Sequence, residues 1–229
     1  MGILGARRRS AGSGDAWSFL GDVSMSTAVW SEGAILAFMA TAAPFFPPDA
    51  NPPEVESAFE AAPPEMVAEI IDGELSLMPR PRLRHARAAF RLGSQLSGFD
   101  REGGGWVILI EPELHLGSKP DKLVPDVAGW RRERLPEIPD EAAFTIAPDW
   151  VCEVLSDRTR RLDRGKKQRI YAREGVKHLW FVDPEAQLVE VLRLSGRNWL
   201  VVDTFEADAV VRMEPFEAAE LPLSALWAR

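Results

Sequence analysis

The segment that most restricts the fold of this chain is residues 149–184. It begins with an apolar run, residues 150–155, that contains one carboxylate, Glu153. Short apolar runs with β-branched residues are typical of buried strands. Burying an ionised carboxylate among apolar neighbours costs roughly several kcal/mol unless a cation or hydrogen-bond donors compensate it. The sequence therefore predicts a buried strand whose acid has a partner elsewhere in the fold.

A second carboxylate, Asp126, has the same kind of setting, because it lies in the short apolar run 122–130 that starts at Lys122. Magnesium prefers oxygen ligands and keeps several of its waters. Two carboxylates on strands with a lysine nearby suit such a hard divalent cation. We therefore expect Asp126 and Glu153 to converge on one ion.

The order of elements predicts an α/β domain. A β-hairpin is expected around Asp72-Gly73, and a βαβ crossover is expected to make strands 150–155 and 178–182 parallel neighbours. The remaining predictions are a helix at 83–98, strands at 106–116 and 122–130, a helix at 164–173 and a hairpin of strands 188–194 and 199–205. This order predicts a mixed sheet with helices packed against it.

Three details of these helices and of the tail are specific enough to test. Helical spacing predicts one inward stripe on the first helix, formed by Ala86, Ala89, Phe90, Gly93 and Leu96. The second helix is expected to begin after a capping Asp163, to face inward with Ile170 and Tyr171, and to end at a left-handed Gly175. The apolar residues of the tail that starts at Met213 are expected to pack back on the domain.

Composition sets limits on the class of protein. The chain has 229 residues, of which 46% are hydrophobic and 27% charged, values typical of a globular protein with one domain and an accessory segment. Its single cysteine, Cys152, lies in an apolar run, so it forms no intrachain disulfide and is interpreted as a small buried residue. We therefore expect a cytoplasmic location. The net charge of −8 argues against a surface that attracts nucleic acid everywhere.

Residues 1–62 are predicted to be a low-order amino-terminal extension, and residues 63–229 the folded domain. The Pro-rich tract 44–64 is expected to behave as a linker or a loosely wrapped arm. One interpretation is that Met39 is the genuine start and that residues 1–38 are not native.

The extension also has a faint likeness to a secretory signal, because three arginines at residues 7–9 precede the apolar stretch 33–46. Asp15, Asp22 and Glu32 interrupt the span where the apolar region of a signal belongs. The uninterrupted run is too short to span a membrane. The sequence therefore predicts neither secretion nor anchoring.

Seven short motifs, in this order and spacing, resemble the bacterial Uma-two family. They are Ile71-Asp-Gly-Glu-Leu, Arg84-His-Ala-Arg, Val124-Pro-Asp-Val, Cys152-Glu-Val-Leu-Ser, Asp163-Arg-Gly-Lys-Lys, Gly175-Val and Trp180-Phe-Val-Asp-Pro. That family groups proteins assigned as endonucleases within the PD-(D/E)XK superfamily. The resemblance covers residues 65–194 and implies a restriction-endonuclease-like mixed β-sheet flanked by helices, with an amino-terminal hairpin.

The resemblance also implies a catalytic site. Asp126 matches the first acidic position of the superfamily pattern and Glu153 the second. The pattern has a lysine two residues after the second acid, where this chain has Leu155. In the family a lysine on the following helix takes that place, which matches Lys167, with Lys166 as its neighbour. The long stem of Lys167 can reach back over the end of the strand.

The third acid of the site is expected to be Glu74 on the hairpin, with Glu69 and Glu111 as further candidates. The alternative for Glu74 is a solvated acid close to a turn. His85, at the start of the first helix, either contacts a phosphate or caps the helix.

Arg158, Arg160 and Arg161, in the loop before the second helix, are candidates for contacts with the phosphates of DNA. Such contacts position the nucleic acid without reading its sequence. A charged surface loop is the alternative.

The function predicted from these residues is a magnesium- or manganese-dependent endonuclease that hydrolyses phosphodiester bonds in DNA. The ion, held by Asp126, Glu153 and Glu74, would stabilise the developing negative charge and lower the pKa of a bound water. Lys167 would orient or help deprotonate that water, or neutralise the phosphate. Double-strand cleavage by one site per chain favours a homodimer. The competing prediction is a catalytically silent module of the same fold that binds nucleic acid or a protein, which the net charge and Leu155 favour.

Overall fold

The computed structural model describes residues 50–101 and 103–227. The interpretations of residues 1–49 given above lie outside these residues. The Pro-rich tract contains a helix that was not predicted, α1 (Pro53–Glu60). It is attached to the domain because Glu56 Oε2 accepts a hydrogen bond from Lys122 Nζ at 2.5 Å. The domain boundary at residue 62 stays a prediction.

The other elements follow in chain order. They are β1 (Met66–Ile71), β2 (Glu74–Pro79), α2 (Leu83–Leu96), β3 (Trp106–Ile110), β4 (Leu114–Leu116), β5 (Asp121–Leu123), β6 (Val127–Arg131), β7 (Trp150–Val154), α3 (Arg160–Leu162), a π-helical turn (Asp163–Lys167), α4 (Gln168–Arg173), β8 (His178–Asp183), β9 (Leu188–Ser195), β10 (Asn198–Glu206), β11 (Val210–Val211), β12 (Leu221–Pro222) and α5 (Ser224–Trp227). None of the helices among these residues has both the length and the apolar character needed to cross a bilayer.

A six-stranded mixed sheet is the centre of the domain, in the order β10-β9-β8-β7-β6-β3. Strands β7 and β8 run parallel, which confirms the predicted crossover, and the other neighbouring pairs are antiparallel. The crossover is the helical segment formed by α3, the π-helical turn and α4. It ends as predicted, since Gly175 follows α4 with a left-handed φ of +78°.

A smaller antiparallel sheet has the order β2-β1-β5-β4. Its β1–β2 hairpin confirms the prediction from Asp72-Gly73, whose φ angles are +55° and +78°. Both central residues of this tight turn therefore have left-handed backbones, the conformation that favours Asp or Asn followed by Gly.

Two predicted long strands are wrong, because each divides between the two sheets. The run 106–116 forms β3 in the large sheet and β4 in the small one, and the run 122–130 forms β5 and β6. Each break contains a proline, which lacks the N–H that continues a ladder. At the first break Glu111 has a φ of +50°. Asp126 consequently lies in a connection between the sheets and not inside a strand.

Helix α2 was predicted correctly as an element, but only Ala89 and Leu96 of its predicted inward stripe are buried. Ala88, Ala89, Leu92 and Leu96 are buried, whereas Ala86 is exposed and Phe90 is 56% exposed. Alanines at positions 86, 88 and 89 point in different directions, so the sequence is compatible with either of two apolar stripes. Packing against the large sheet and α5 decides between them.

The two faces of the large sheet have separate apolar cores. Trp150, Cys152 and Val154 of β7 face the core that contains the buried residues of α2. The tail packs there through Leu221, Leu223 and Leu226, as predicted. Val151 of β7 faces the opposite core, together with Ile170 and Tyr171 of α4. Because strand residues alternate between faces, Glu153 points to the side covered by the crossover helix.

Candidate active site

Lys167, at the end of the π-helical turn, is the centre of a buried ionic cluster. Its Nζ lies 2.8 Å from Glu153 Oε1, 3.1 Å from Glu69 Oε1 and 3.7 Å from Asp163 Oδ1. All four side chains are at most 6% exposed. Single π-helical turns inside α-helices occur frequently at functional sites. The predicted reach of Lys167 back to the acid of β7 is present in the structure.

The acids of this cluster have further hydrogen-bond donors. Tyr171 Oη donates to Glu153 Oε1 at 2.6 Å. The backbone N–H of Val124 donates to Glu69 Oε1 at 2.9 Å. Glu69 comes from β1 of the small sheet and Glu153 from β7 of the large one. Lys167 therefore joins the two sheets at the point where the chain passes from one to the other.

Asp126 lies beside this cluster and has both carboxylate oxygens engaged. Its Oδ1 is 2.5 Å from His85 Nε2, and its Oδ2 accepts a hydrogen bond from the N–H of Val154 at 2.7 Å. The second contact places Asp126 next to the strand that carries Glu153. His85 comes from the first turn of α2 and contacts Asp126, so it does not cap this helix.

The pKa values of the cluster reflect, above all, its burial. Burial raises the pKa of Glu153 well above its usual range, and it raises the pKa of Asp163 to about 6; the Lys167 ammonium opposes both shifts. Burial alone would lower the pKa of Lys167, but Glu153 and Glu69 outweigh it and raise that pKa. Lys167 therefore stays charged, while Glu153 and Asp163 keep their protons to a higher pH than free carboxyl groups do.

The same residues line a cleft of about 390 Å³. Its acidic floor comprises Glu69, Asp126, Glu153 and Asp163. Burial opposes the charging of His85, but Asp126 outweighs it and raises the pKa of this imidazole above its usual value. The site thus has carboxylates at the bottom, one buried ammonium and one imidazole that is charged more readily than usual.

Of the predicted site residues, the structure places Asp126, Glu153, Lys167, His85 and Arg158 in this cleft, together with the further candidates Glu69 and Glu111. Glu74 is not among them. Its side chain is 76% exposed and pairs with Lys166 at 2.6 Å, because it follows the hairpin turn on the outer side of the small sheet. Glu69 occupies the place expected for Glu74. The signal that identified Glu153, a lone acid in a β-prone run, is also present around Glu69.

The three predicted arginine contacts have different surroundings. Arg158 lines the cleft. Arg160 does not, since its Nη1 is 2.5 Å from Asp183 Oδ2. Arg161 is exposed and lies outside the cleft. Asp163 was expected to cap the second helix, but the helical segment begins three residues earlier at Arg160, and Asp163 points to Lys167 instead.

The donor chemistry of this site fits a hard divalent cation. In the described part of the chain no three acidic, histidine or cysteine side chains already converge as a ready-made metal site. However, carboxylates outnumber the single ammonium on the floor of the cleft, so the site lacks positive charge. Magnesium commonly takes only one or two protein carboxylates and completes its shell with water and phosphate oxygens. Asp126 and Glu153 could supply such ligands, with Glu69 as the third acid.

The fold and the site define a class. A mixed sheet with acids at the junction of two strands, and a lysine supplied by the crossover helix, is the arrangement of a restriction-endonuclease-like α/β domain. The family model Uma2, described as "Putative restriction endonuclease", matches residues 55–224. The chain therefore belongs to the Uma2 family, as the sequence motifs predicted.

A solved structure supports the assignment of the fold. It is described as the crystal structure of "a putative nuclease belonging to DUF820 from Anabaena variabilis ATCC 29413", and it is similar to this chain with a TM-score of 0.63 and 22% identity. The alignment covers 76% of this chain and 97% of that chain. At this identity the likeness shows the shared fold. No curated protein matches the chain.

Proposed function

We propose that this protein is a metal-dependent endonuclease that hydrolyses phosphodiester bonds in DNA. The observation that carries the proposal is the position of Lys167 Nζ, 2.8 Å from Glu153 Oε1 in the cleft that Asp126 also lines. The superfamily pattern needs two acids and an amine in one cleft. Here the amine comes from the helix that follows β7.

Magnesium or manganese would be held by Asp126 and Glu153, with Glu69 as the third acid in place of Glu74. When bound, the ion supplies positive charge that stabilises the phosphoryl group and lowers the pKa of a water. Its charge would also offset the excess of acids on the floor of the cleft. This compensation is a second reason why the site suits a cation.

Lys167 acts in this proposal as a fixed positive charge and not as a general base. Its pKa is raised by the surrounding carboxylates, so the amine keeps its proton at neutral pH. An ammonium can hold Glu153 in place and neutralise charge in the cleft, but it accepts no proton from water. His85 holds Asp126 through Oδ1 at 2.5 Å and thereby orients this carboxylate.

Cleavage of supercoiled plasmid DNA with magnesium or manganese, and with EDTA as control, tests the proposal. We expect cleavage by the wild-type protein, and its loss in Asp126→Asn and Glu153→Gln proteins that still unfold cooperatively. These replacements keep the size of each side chain but remove its charge. Manganese should also raise the melting temperature of the wild type more than that of either variant, which reports binding without activity. RNA of the same sequence, as a second substrate, tests the specificity for DNA.

One observation favours a second candidate, a catalytically silent nucleic-acid-binding module. The acids of the cleft are already engaged by protein donors: Glu153 by Lys167 and Tyr171, and Asp126 by His85 and the backbone. A silent module would bind DNA equally well before and after both substitutions and would cleave it in no preparation. The cleavage assay, combined with a binding assay, separates the two candidates.

A further inference from the structure

Helix α2 and the loop before it present a row of arginines beside the cleft. We call this surface the arginine track; it comprises Arg82, Arg84, Arg87 and Arg91. Arg82 and Arg84 line the cleft itself, and the row continues along the exposed side of α2 to Arg91. The sequence of α2, LRHARAAFRLGSQL, contains three arginines and no acidic residue.

The spacing of the track follows from helical geometry. Residues three, four and seven positions apart lie on one side of a helix, so Arg84, Arg87 and Arg91 face the same way. Ala89 and Leu96 lie on the other side of the helix and are buried, which orients the arginines to solvent. From Arg84 to Arg91 the helix rises by about 10 Å, which is about three phosphate steps of one strand when measured along the axis of a duplex.

Three arginines of the track have no ion-pair partner among the described residues. Among the described residues, no carboxylate pairs with Arg82, Arg84 or Arg91 within salt-bridge distance. The helix is not stabilised by Arg84 either, because a cation in the first turn opposes the helix dipole. Arg82, Arg84 and Arg91 are thus available positive charges on a protein with a net charge of −8.

The rest of the cleft shows why a polyanion needs this surface. Its floor is acidic, and Asp157 and Glu185 line it as well. Phosphates approaching those carboxylates without compensation are repelled. Besides Arg158 of the loop, the arginines on the α2 side therefore offer a surface along which a phosphate backbone can reach the cleft.

A second group of arginines is less well suited to the same task. Arg164, Arg169, Arg173 and Arg197 line a groove of about 440 Å³ between the crossover helix and the β9–β10 hairpin. Arg164 is paired with Glu190, and Arg173 is paired with Asp121 and Glu174. Two of the four arginines that line this groove are therefore neutralised inside the domain. None of its lining residues lines the cleft.

We propose that the arginine track binds the phosphate backbone of the nucleic acid and guides it into the cleft. The proposal rests on the proposed function for its ligand, but it concerns binding and not cleavage. In this proposal the track makes the phosphate contacts that the sequence analysis assigned to the loop residues Arg160 and Arg161. Its contacts are with phosphates, so the track contributes affinity that depends on salt and not on base sequence.

The test measures binding of a short fluorescein-labelled DNA duplex by anisotropy, in EDTA, over a range of salt concentrations. Arg82→Gln/Arg84→Gln and Arg91→Gln proteins are compared with the wild type, and Arg197→Gln is the matched control from the other groove. Each lost phosphate contact reduces the slope of log K against log salt by about 0.9. We therefore expect a reduction of about 2 for the double variant, with affinity at least about tenfold weaker. Arg91→Gln should reduce the slope by about 1, and Arg197→Gln should leave it unchanged.

Each other outcome overturns a specific part of the inference. An unchanged slope in the track variants, with Asp126→Asn still abolishing cleavage, refutes the track and leaves the endonuclease standing. If only Arg197→Gln weakens binding of the duplex, the phosphate contact lies in the groove lined by Arg197, and the track is refuted. If wild-type protein binds no duplex and cleaves none, the proposed function fails and the track fails with it. The same measurement with an RNA duplex of matching sequence shows whether the track binds DNA, RNA or both.

Discussion

The ammonium of Lys167 lies 2.8 Å from Glu153 Oε1, and both side chains are at most 4% exposed. Lys167 comes from the π-helical turn and Glu153 from β7, so the contact depends on the crossover that folds this helix over the strand. It brings an amine to the second acid although the usual position for that amine holds Leu155. Four predictions follow from the cluster around this pair.

Lys167→Met is expected to abolish cleavage and to lower the free energy of unfolding by about 3–5 kcal/mol. The physical reason is that Glu153 and Glu69 would remain buried without their cation. Lys166→Met is the matched control, because the side chain of Lys166 is 37% exposed and pairs with the exposed Glu74. It should leave stability and cleavage essentially unchanged. Urea unfolding and plasmid cleavage measure both effects; equal behaviour of the two variants would contradict the role of the buried amine.

Glu69→Gln is expected to remove the rise in melting temperature that manganese causes, and to remove cleavage. Glu69 lies in the cleft, 3.1 Å from Lys167 Nζ, and we propose it as the third acid. Glu74→Gln is the matched control and should keep both properties, since the side chain of Glu74 is 76% exposed and outside the cleft. Melting curves with and without manganese make the comparison. Loss of the manganese effect in the Glu74 variant would restore the original assignment.

Tyr171→Phe is expected to lower the free energy of unfolding by about 1.5–3 kcal/mol, the range for a buried hydrogen bond to a charged group. The replacement keeps the ring and removes the hydroxyl that donates to Glu153 Oε1 at 2.6 Å. Trp199→Phe serves for comparison, because it removes a donor to the neutral carbonyl of Gln168. A smaller loss is expected there. Urea unfolding at neutral pH measures both, and a larger loss for Trp199→Phe would argue against the importance of the Tyr171 contact.

Asp163→Asn is expected to stabilise the protein at pH 8 but not at pH 4. Burial raises the pKa of Asp163 from 3.8 to about 6, against the Lys167 ammonium. Between these two values the native state binds more protons than the unfolded chain, so the free energy of unfolding falls as the pH rises from about 4 to about 6. An amide stays neutral and avoids this loss, which is on the order of 2–3 kcal/mol above pH 6.

Urea unfolding of both proteins at pH 4 and pH 8 checks the prediction for Asp163. The charged groups that interact with Asp163 include Lys167, Asp126 and Glu69, and also Glu153, His85 and Arg164. The same replacement at the exposed Asp157 is the control for the change from acid to amide, and it should stabilise the protein at neither pH. A stabilisation by Asp163→Asn that is equal at pH 4 and pH 8 would show that ionisation is not its cause.

The elements nearest to the site were predictable because their signals are local. An Asp-Gly turn defines the hairpin, the pattern of apolar residues defines β7 and β8, and Gly175 ends the crossover helix. Alternating side chains on a strand, and the hand of the crossover, then place Glu153 under that helix. These relationships depend on backbone geometry and on residues close together in the chain.

Tertiary packing decided what those signals left open. The sequence alone determined that two acids lie in apolar surroundings and need compensation. It did not determine that Glu69, and not Glu74, contacts the ammonium of Lys167, because that contact depends on how the small sheet packs against the large one. Tertiary packing also decided which face of α2 is buried and where the runs 106–116 and 122–130 divide between the two sheets. In each case several local patterns are nearly equal in free energy, and contacts between residues distant in the chain select one of them.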